Sequence, residues 1–140
     1  MTTELDNFFK EYLEVSKSGF VKEILRGLPS NVESDARVTA ERLFVSFREN
    51  RLNYSSVTLF EGRNNAGRII AALYFEQKQK AGYSFALSEL MGELSDKVGS
   101  HKTLVPVFVD FGSDLDFASD IASRNGGKSF KKIWEFSPVI

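Results

Sequence analysis

The sequence contains no cysteine and a single histidine, His101, among 140 residues. Without cysteine there can be no disulfide, thiolate nucleophile, cysteine-held zinc or iron–sulfur cluster. Such a chain suits a reducing compartment, and the cytoplasm is the expected location. One histidine cannot build a typical zinc site, and no nearby Ser and Asp complete a triad around it. His101 therefore reads as a solvated loop residue in Gly99-Ser100-His101-Lys102. The start, Met1-Thr2-Thr3-Glu4, is acidic and lacks the basic and apolar regions of a signal peptide. No apolar run approaches the ~20 residues of a membrane span, so no membrane partner is expected. Low-complexity tracts, internal repeats and interdomain linkers are also missing.

What is present describes a folded domain. The hydrophobic fraction is 42%, with thirteen Phe, and the formal net charge is −1. A net charge so close to zero argues against a strong field for nucleic acid or an anionic membrane. A chain of this length buries roughly 68–70% of its unfolded surface, enough for a core in one domain spanning 1–140.

Residues 3–28 carry helical spacing. Leu5, Phe8, Phe9, Tyr12 and Leu13 share one face, and the pattern resumes at Phe20, Val21, Ile24, Leu25 and Leu28. Between them Ser16-Lys17-Ser18-Gly19 interrupts it, predicting two short helices or one helix broken near Gly19. Gly27 and Pro29 stop this N-terminal helical segment, 1–28. Its aromatic stripe packs on the domain or docks a partner helix. A sheet-containing core follows over 34–140. Ser34 opens a helix reaching about Asn50, although Leu43-Val45-Phe47 also alternates as a strand would.

Ser55–Glu61 and Arg68–Gln77 read as strands joined by Gly62-Arg63-Asn64-Asn65-Ala66-Gly67, an antiparallel hairpin. Both faces of the second strand are apolar, which places it centrally and covers it on both sides. Ser84–Val98 is a helix, and Gly99 caps it. The apolar run Thr103–Phe111 is the strand that the rest of the chain is arranged to cover. The strand–helix–strand order predicts that it lies parallel to Arg68–Gln77. Pro106 cannot donate to a ladder, so the run is bulged there or unpaired on that side. Ser113 caps a further helix that ends at Gly126-Gly127, and Ser129–Phe136 is a last strand. It places Phe130, Trp134 and Phe136 in alternating phase. The expectation is a small α+β or mixed α/β domain: N-terminal helices, a hairpin, then β-α-β-α-β, with about four strands in a mixed sheet and helices packed on it.

Several groups of residues are chemical candidates. Gly126-Gly127-Lys128-Ser129 has the end of a phosphate-binding loop, but Ala122 stands where its first glycine belongs. The helix-to-strand order is also the reverse of that loop's. It reads as a helix cap and turn. Asp110, Asp114, Asp116 and Asp120 form an acidic block with no Lys or Arg between Thr103 and Ser123. Asp114 and Asp116 suit a helix N-terminus, and the block is a candidate contact surface. Arg124, Lys128, Lys131 and Lys132 form a basic block near Phe130 and Trp134, a mixture suited to phosphate contact and base stacking. Lysines on an edge strand equally discourage edge pairing.

Glu76-Gln77-Lys78 ends the second strand, and Glu41 lies on the helix before the hairpin. This E-x-K pattern resembles the restriction-endonuclease-like nuclease core. The resemblance implies carboxylates that hold a divalent metal and a lysine that helps activate water. That core needs another acidic residue on the preceding strand, where this sequence reads Arg63-Asn64-Asn65-Ala66-Gly67-Arg68. With no complete catalytic motif and no cofactor implied, the expected function is non-enzymatic binding of another macromolecule. A protein partner is expected first, as for an inhibitor, an immunity-type protein or an adaptor. The alternatives are a metal-dependent nuclease-like domain, with Glu41, Glu76 and Lys78 at its site, and a nucleic-acid binder. Local blocks of opposite charge, acidic at 110–120 and basic at 124–132, steer association and give it specificity.

Overall fold

The computed structural model describes residues 2–49, 54–77, 84–110 and 130–137. Among these residues three helices and four strands follow one another: α1 (Thr2–Ile24), α2 (Ser30–Glu49), β1 (Tyr54–Arg63), β2 (Ile69–Gln77), α3 (Ser84–Val98), β3 (Lys102–Asp110) and β4 (Lys131–Phe136). The expected helix from Ser113 to Gly127 lies outside the described residues. The strands form one mixed sheet in the order β3-β2-β1-β4. β1 lies antiparallel to both β2 and β4, and β2 lies parallel to β3. This is the small α+β domain that the periodicities imply.

The helices differ from expectation at their ends and in one interior. α1 runs unbroken through Ser16-Lys17-Ser18-Gly19. Gly19 lies beside Trp134, where a Cβ would make an ordinary contact with the indole at 3.4 Å. Burial of Phe20, Val21 and Ile24 on the turn that follows outweighs glycine's poor helix propensity. After Ile24 the chain turns, and Gly27 takes φ = 84°, the left-handed conformation that ends many helices. α2 starts at Ser30, four residues earlier than Ser34, and continues through 42–49 as helix. The strand-like alternation there was incidental. Ala36, Ala40, Leu43, Phe44 and Phe47 are all buried at helical spacing.

All three helices contribute to one core on one face of the sheet. Phe20 and Ile24 of α1, Phe44 and Phe47 of α2, and Leu87, Met91 and Leu94 of α3 meet Val57, Leu59, Leu73, Phe75 and Phe136 from the strands. The centre is aromatic. The Phe47 ring lies 5.3 Å from Phe20, 4.8 Å from Phe44, 6.1 Å from Phe75, 6.0 Å from Trp134 and 5.9 Å from Phe136. The opposite face of β2 is apolar as well: Ala72 and Tyr74 are buried there, with Phe60, Val107 and Phe130 packed against them.

Two strand expectations need correction. The run 103–111 does not organise the sheet; β3 lies at its edge, and β2 and β1 take the centre. The β2–β3 register passes through Leu73–Pro106 without a shift. Of the two expectations for Pro106, the unpaired side holds, at the edge of the sheet, and the bulge does not. In β4 the register with β1 shifts between Leu59 and Phe60, leaving Ile133 without an opposite residue. One inserted residue reverses the facing of all that follows. Trp134 and Phe136 therefore point into the helix-covered core, while Phe130 packs on the other face.

Candidate functional site

The buried charge among the described residues, Lys102, lies at the hairpin end of the sheet, beside the C-terminus of α1. The hairpin turn holds itself together. Asn64 Oδ1 accepts from the backbone N–H groups of Ala66 (3.0 Å) and Arg68 (2.9 Å), and Arg63 donates to the carbonyl of Gly67 at 2.8 Å. Gly67 supplies the positive φ, 79°, that closes the loop. Arg68 is tied down on the β3 side by Thr103 Oγ1 at 2.6 Å.

Below the turn lies an ion-pair network that no sequence motif announced. Glu61 faces the helices, because it is in phase with buried Val57 and Leu59. Arg26, in the turn after α1, donates to Glu61 Oε1 at 2.7 Å and also approaches Glu23 at 3.3 Å. Lys102 opens β3 in phase with Leu104 and is only 1% exposed. Its Nζ donates to the Ile24 carbonyl at 2.9 Å and stands 3.9 Å from Glu61 Oε2. A cation at a helix C-terminus meets the last unpaired carbonyls and the negative end of the dipole. Burial lowers the Lys102 pKa from its ordinary value, and the nearby Glu61 carboxylate opposes that shift. The signal that could have found this group is phase: Lys102 sits two residues before a core leucine on the same face.

Two clefts flank the network. One, of about 570 Å³, runs between α1 and α2 and is bordered by Lys17, Lys22, Arg26, Arg37, Glu33 and Glu41, over Val21 and Leu25. The other, of about 680 Å³, lies under the hairpin between Arg26, Glu61, Arg63, Asn64, Lys131 and Ile133.

The residues of the E-x-K reading are placed apart. Glu41 is on α2 and faces the cleft beside α1. Glu76 is in phase with Tyr74 on the opposite face of the sheet, in a shallow depression with Ser56, Thr58, Phe60, Lys132 and Glu135. The β-sheet stands between the two carboxylates. Glu61, the acidic residue of the neighbouring strand, faces the helices and pairs in register with Ala71, five residues along β2 from Glu76. Lys78 lies outside the described residues. Among the described residues no three Asp, Glu or His side chains come together.

The basic block is likewise divided. Lys131 borders the cleft under the hairpin, whereas Lys132 is on the other face, 3.5 Å from Glu135. Trp134 is no stacking platform for them; its ring sits among Phe20, Phe44, Phe47 and Phe136. Strand alternation separates Lys131 from Lys132, and the bulge at Ile133 puts Trp134 on the face opposite Lys132. Arg124 and Lys128 lie outside the described residues, as do Asp114, Asp116 and Asp120 and the loop Gly126-Gly127-Lys128-Ser129. Asp110 ends β3. His101 is exposed in the short turn Gly99–His101. No helix among the described residues is long and apolar enough to cross a membrane.

No family model, curated protein or solved structure matches the chain.

Proposed function

We propose that this protein is a non-enzymatic interaction module of the cytoplasm that binds another protein, in the manner of an inhibitor, an immunity-type protein or an adaptor. The observation that carries the reading is the separation of Glu41 from Glu76 by the sheet. A metal-dependent nuclease needs its carboxylates converged on one ion, within bonding reach of common oxygens. Here the charged side chains are spread over surfaces instead. The clefts beside α1 and under the hairpin are open, polar at their rims and aliphatic at their floors. That composition matches the polar rim and apolar centre of protein contacts. The absence of cysteine fits the reducing cytoplasm.

The rival reading is cleavage of nucleic acid at Glu76-Gln77-Lys78. Titration with Mg²⁺ and Mn²⁺ by calorimetry, run beside a plasmid-nicking assay, separates the two. The interaction module gives no stoichiometric heat and no nicking. Metal binding and cleavage that both disappear in Glu76→Ala overturn it.

A further inference from the structure

The two clefts meet at Arg26, which borders both. Together they present Lys17, Lys22, Arg26, Arg37, Arg63 and Lys131 as one basic strip along α1 and beneath the hairpin. Among the lining residues three carboxylates interrupt it: Glu33, Glu41 and Glu61. Just outside the lining, Glu14 and Glu23 pair with Lys17 at 3.6 Å and Arg26 at 3.3 Å. The described lining sums to +3 in a chain of net charge −1. Removing its nine charged residues from the 18 basic and 19 acidic ones leaves 12 against 16, so the rest of the molecule is −4. Two of the carboxylates are already neutralised. Glu33 pairs with Arg37, and Glu61 with Arg26 and the buried Lys102. Lys22 and Lys131 are exposed and form no ion pair among the described residues. Each stands at the rim of one cleft.

We infer that this strip docks an acidic segment of a partner protein, with Asp or Glu side chains over Lys22 and Lys131 and aliphatic side chains over the cleft floors. The inference rests on the interaction-module reading and gives it a place and a partner chemistry. Charge complementarity selects the acidic segment. The floors, Val21 and Leu25 in one cleft and Ile133 in the other, accept aliphatic groups. Nucleic acid fits less well. Among the described residues the clefts border no aromatic ring on which a base could stack. Glu41 interrupts a phosphate track, and the −4 remainder repels a long polyanion. A short acidic segment confined to the strip meets neither obstacle.

The test uses the full chain and a short fluorescein-labelled peptide of Glu, Asp and Leu, read by fluorescence anisotropy. Its Gln/Asn counterpart and a DNA duplex serve as competitors. Lys22→Glu/Lys131→Glu reverses one charge at each cleft. Lys10→Glu/Lys132→Glu makes the same net change elsewhere, and all four positions are exposed, with thermal melting as the check on folding. The acidic peptide should bind the wild type, weaken about tenfold or more in the strip variant, and be unaffected by the control variant. Added NaCl should weaken it progressively. The inference is overturned by no binding, by equal binding to both variants, by equal binding of the Gln/Asn peptide, or by displacement of the acidic peptide by DNA. It is overturned alone, leaving the module reading intact, if a stoichiometric protein partner binds the strip variant as tightly as the wild type.

Discussion

Replacing Phe47 by Ala tests the core most severely. The ring is fully buried and touches aromatic side chains from α1, α2, β2 and β4. Removing it loses the transfer free energy of the ring and leaves a cavity. Phe→Ala changes in cores cost about 3–5 kcal/mol. The cavity walls belong to four different elements, so they cannot collapse without moving whole helices or strands. The edge contact with Phe20, at an interplanar angle of 89°, adds a directional part of about 0.5–1.5 kcal/mol. The expected loss is therefore near the upper end, about 4–5 kcal/mol, from a total that is typically about 5–15 kcal/mol. With a urea slope of about 2 kcal/mol per M, the midpoint should fall by about 2 M. Phe8, 67% exposed on α1, is the comparison: Phe8→Ala should change stability by no more than about 0.5 kcal/mol. Equilibrium urea unfolding, followed by circular dichroism and by the single Trp134, measures both. A loss below about 2 kcal/mol for Phe47, or equal losses for the two variants, refutes the packing described.

Two pH-linked outcomes follow from buried groups. Lys102 has a lowered pKa in the folded state, so the unfolded chain binds more protons between that value and the ordinary lysine value. Its burial cost is fully present below the folded pKa and vanishes as pH rises through that window. The neutral amine can still donate to the Ile24 carbonyl. The stability of wild type relative to Lys102→Met should therefore increase from pH 8 to about 10.4, and a wild-type urea midpoint that stays level with or falls relative to the variant's over that range contradicts this. Tyr74, 2% exposed, has its pKa pushed up to about 12, first by burial and then by the Glu76 charge. The folded state keeps the proton longer, so this group weakens the fold only as pH climbs above about 10. Ultraviolet titration should show one tyrosinate appearing near pH 12, absent in Tyr74→Phe; its appearance near pH 10 in folded protein contradicts the burial.

The fold was legible wherever one period dominated. The stripe Leu87, Met91, Leu94 and Val98, the two-faced strand Ile69–Gln77 and the loop around Asn64 and Gly67 all signalled their structure locally. What escaped depended on distant partners. Gly19 stays helical because Phe20 and Ile24 beyond it pack into a core that includes β4, a contact between distant parts of the chain. The Ile133 bulge reverses Trp134 against Phe130, and no local pattern marks it. Pro106 offered an unpaired side as one of two readings of Thr103–Phe111, and the sheet order, with β3 at the edge, selects it over a bulge. The candidate site was less legible still. Of the strip, Lys131 stood out in the sequence in a basic block and Glu41 in the E-x-K reading. Arg26, Glu61 and Lys102 come from three separate elements and acquire a shared role only when α1, β1 and β3 pack together.

The most direct measurement for the whole account is capture of the tagged protein from its native cells, with mass spectrometry and nucleic-acid staining of the eluate. One protein partner recovered in stoichiometric amount, and released by high salt, is the predicted result. Nucleic acid recovered alone, with no stoichiometric protein, contradicts it.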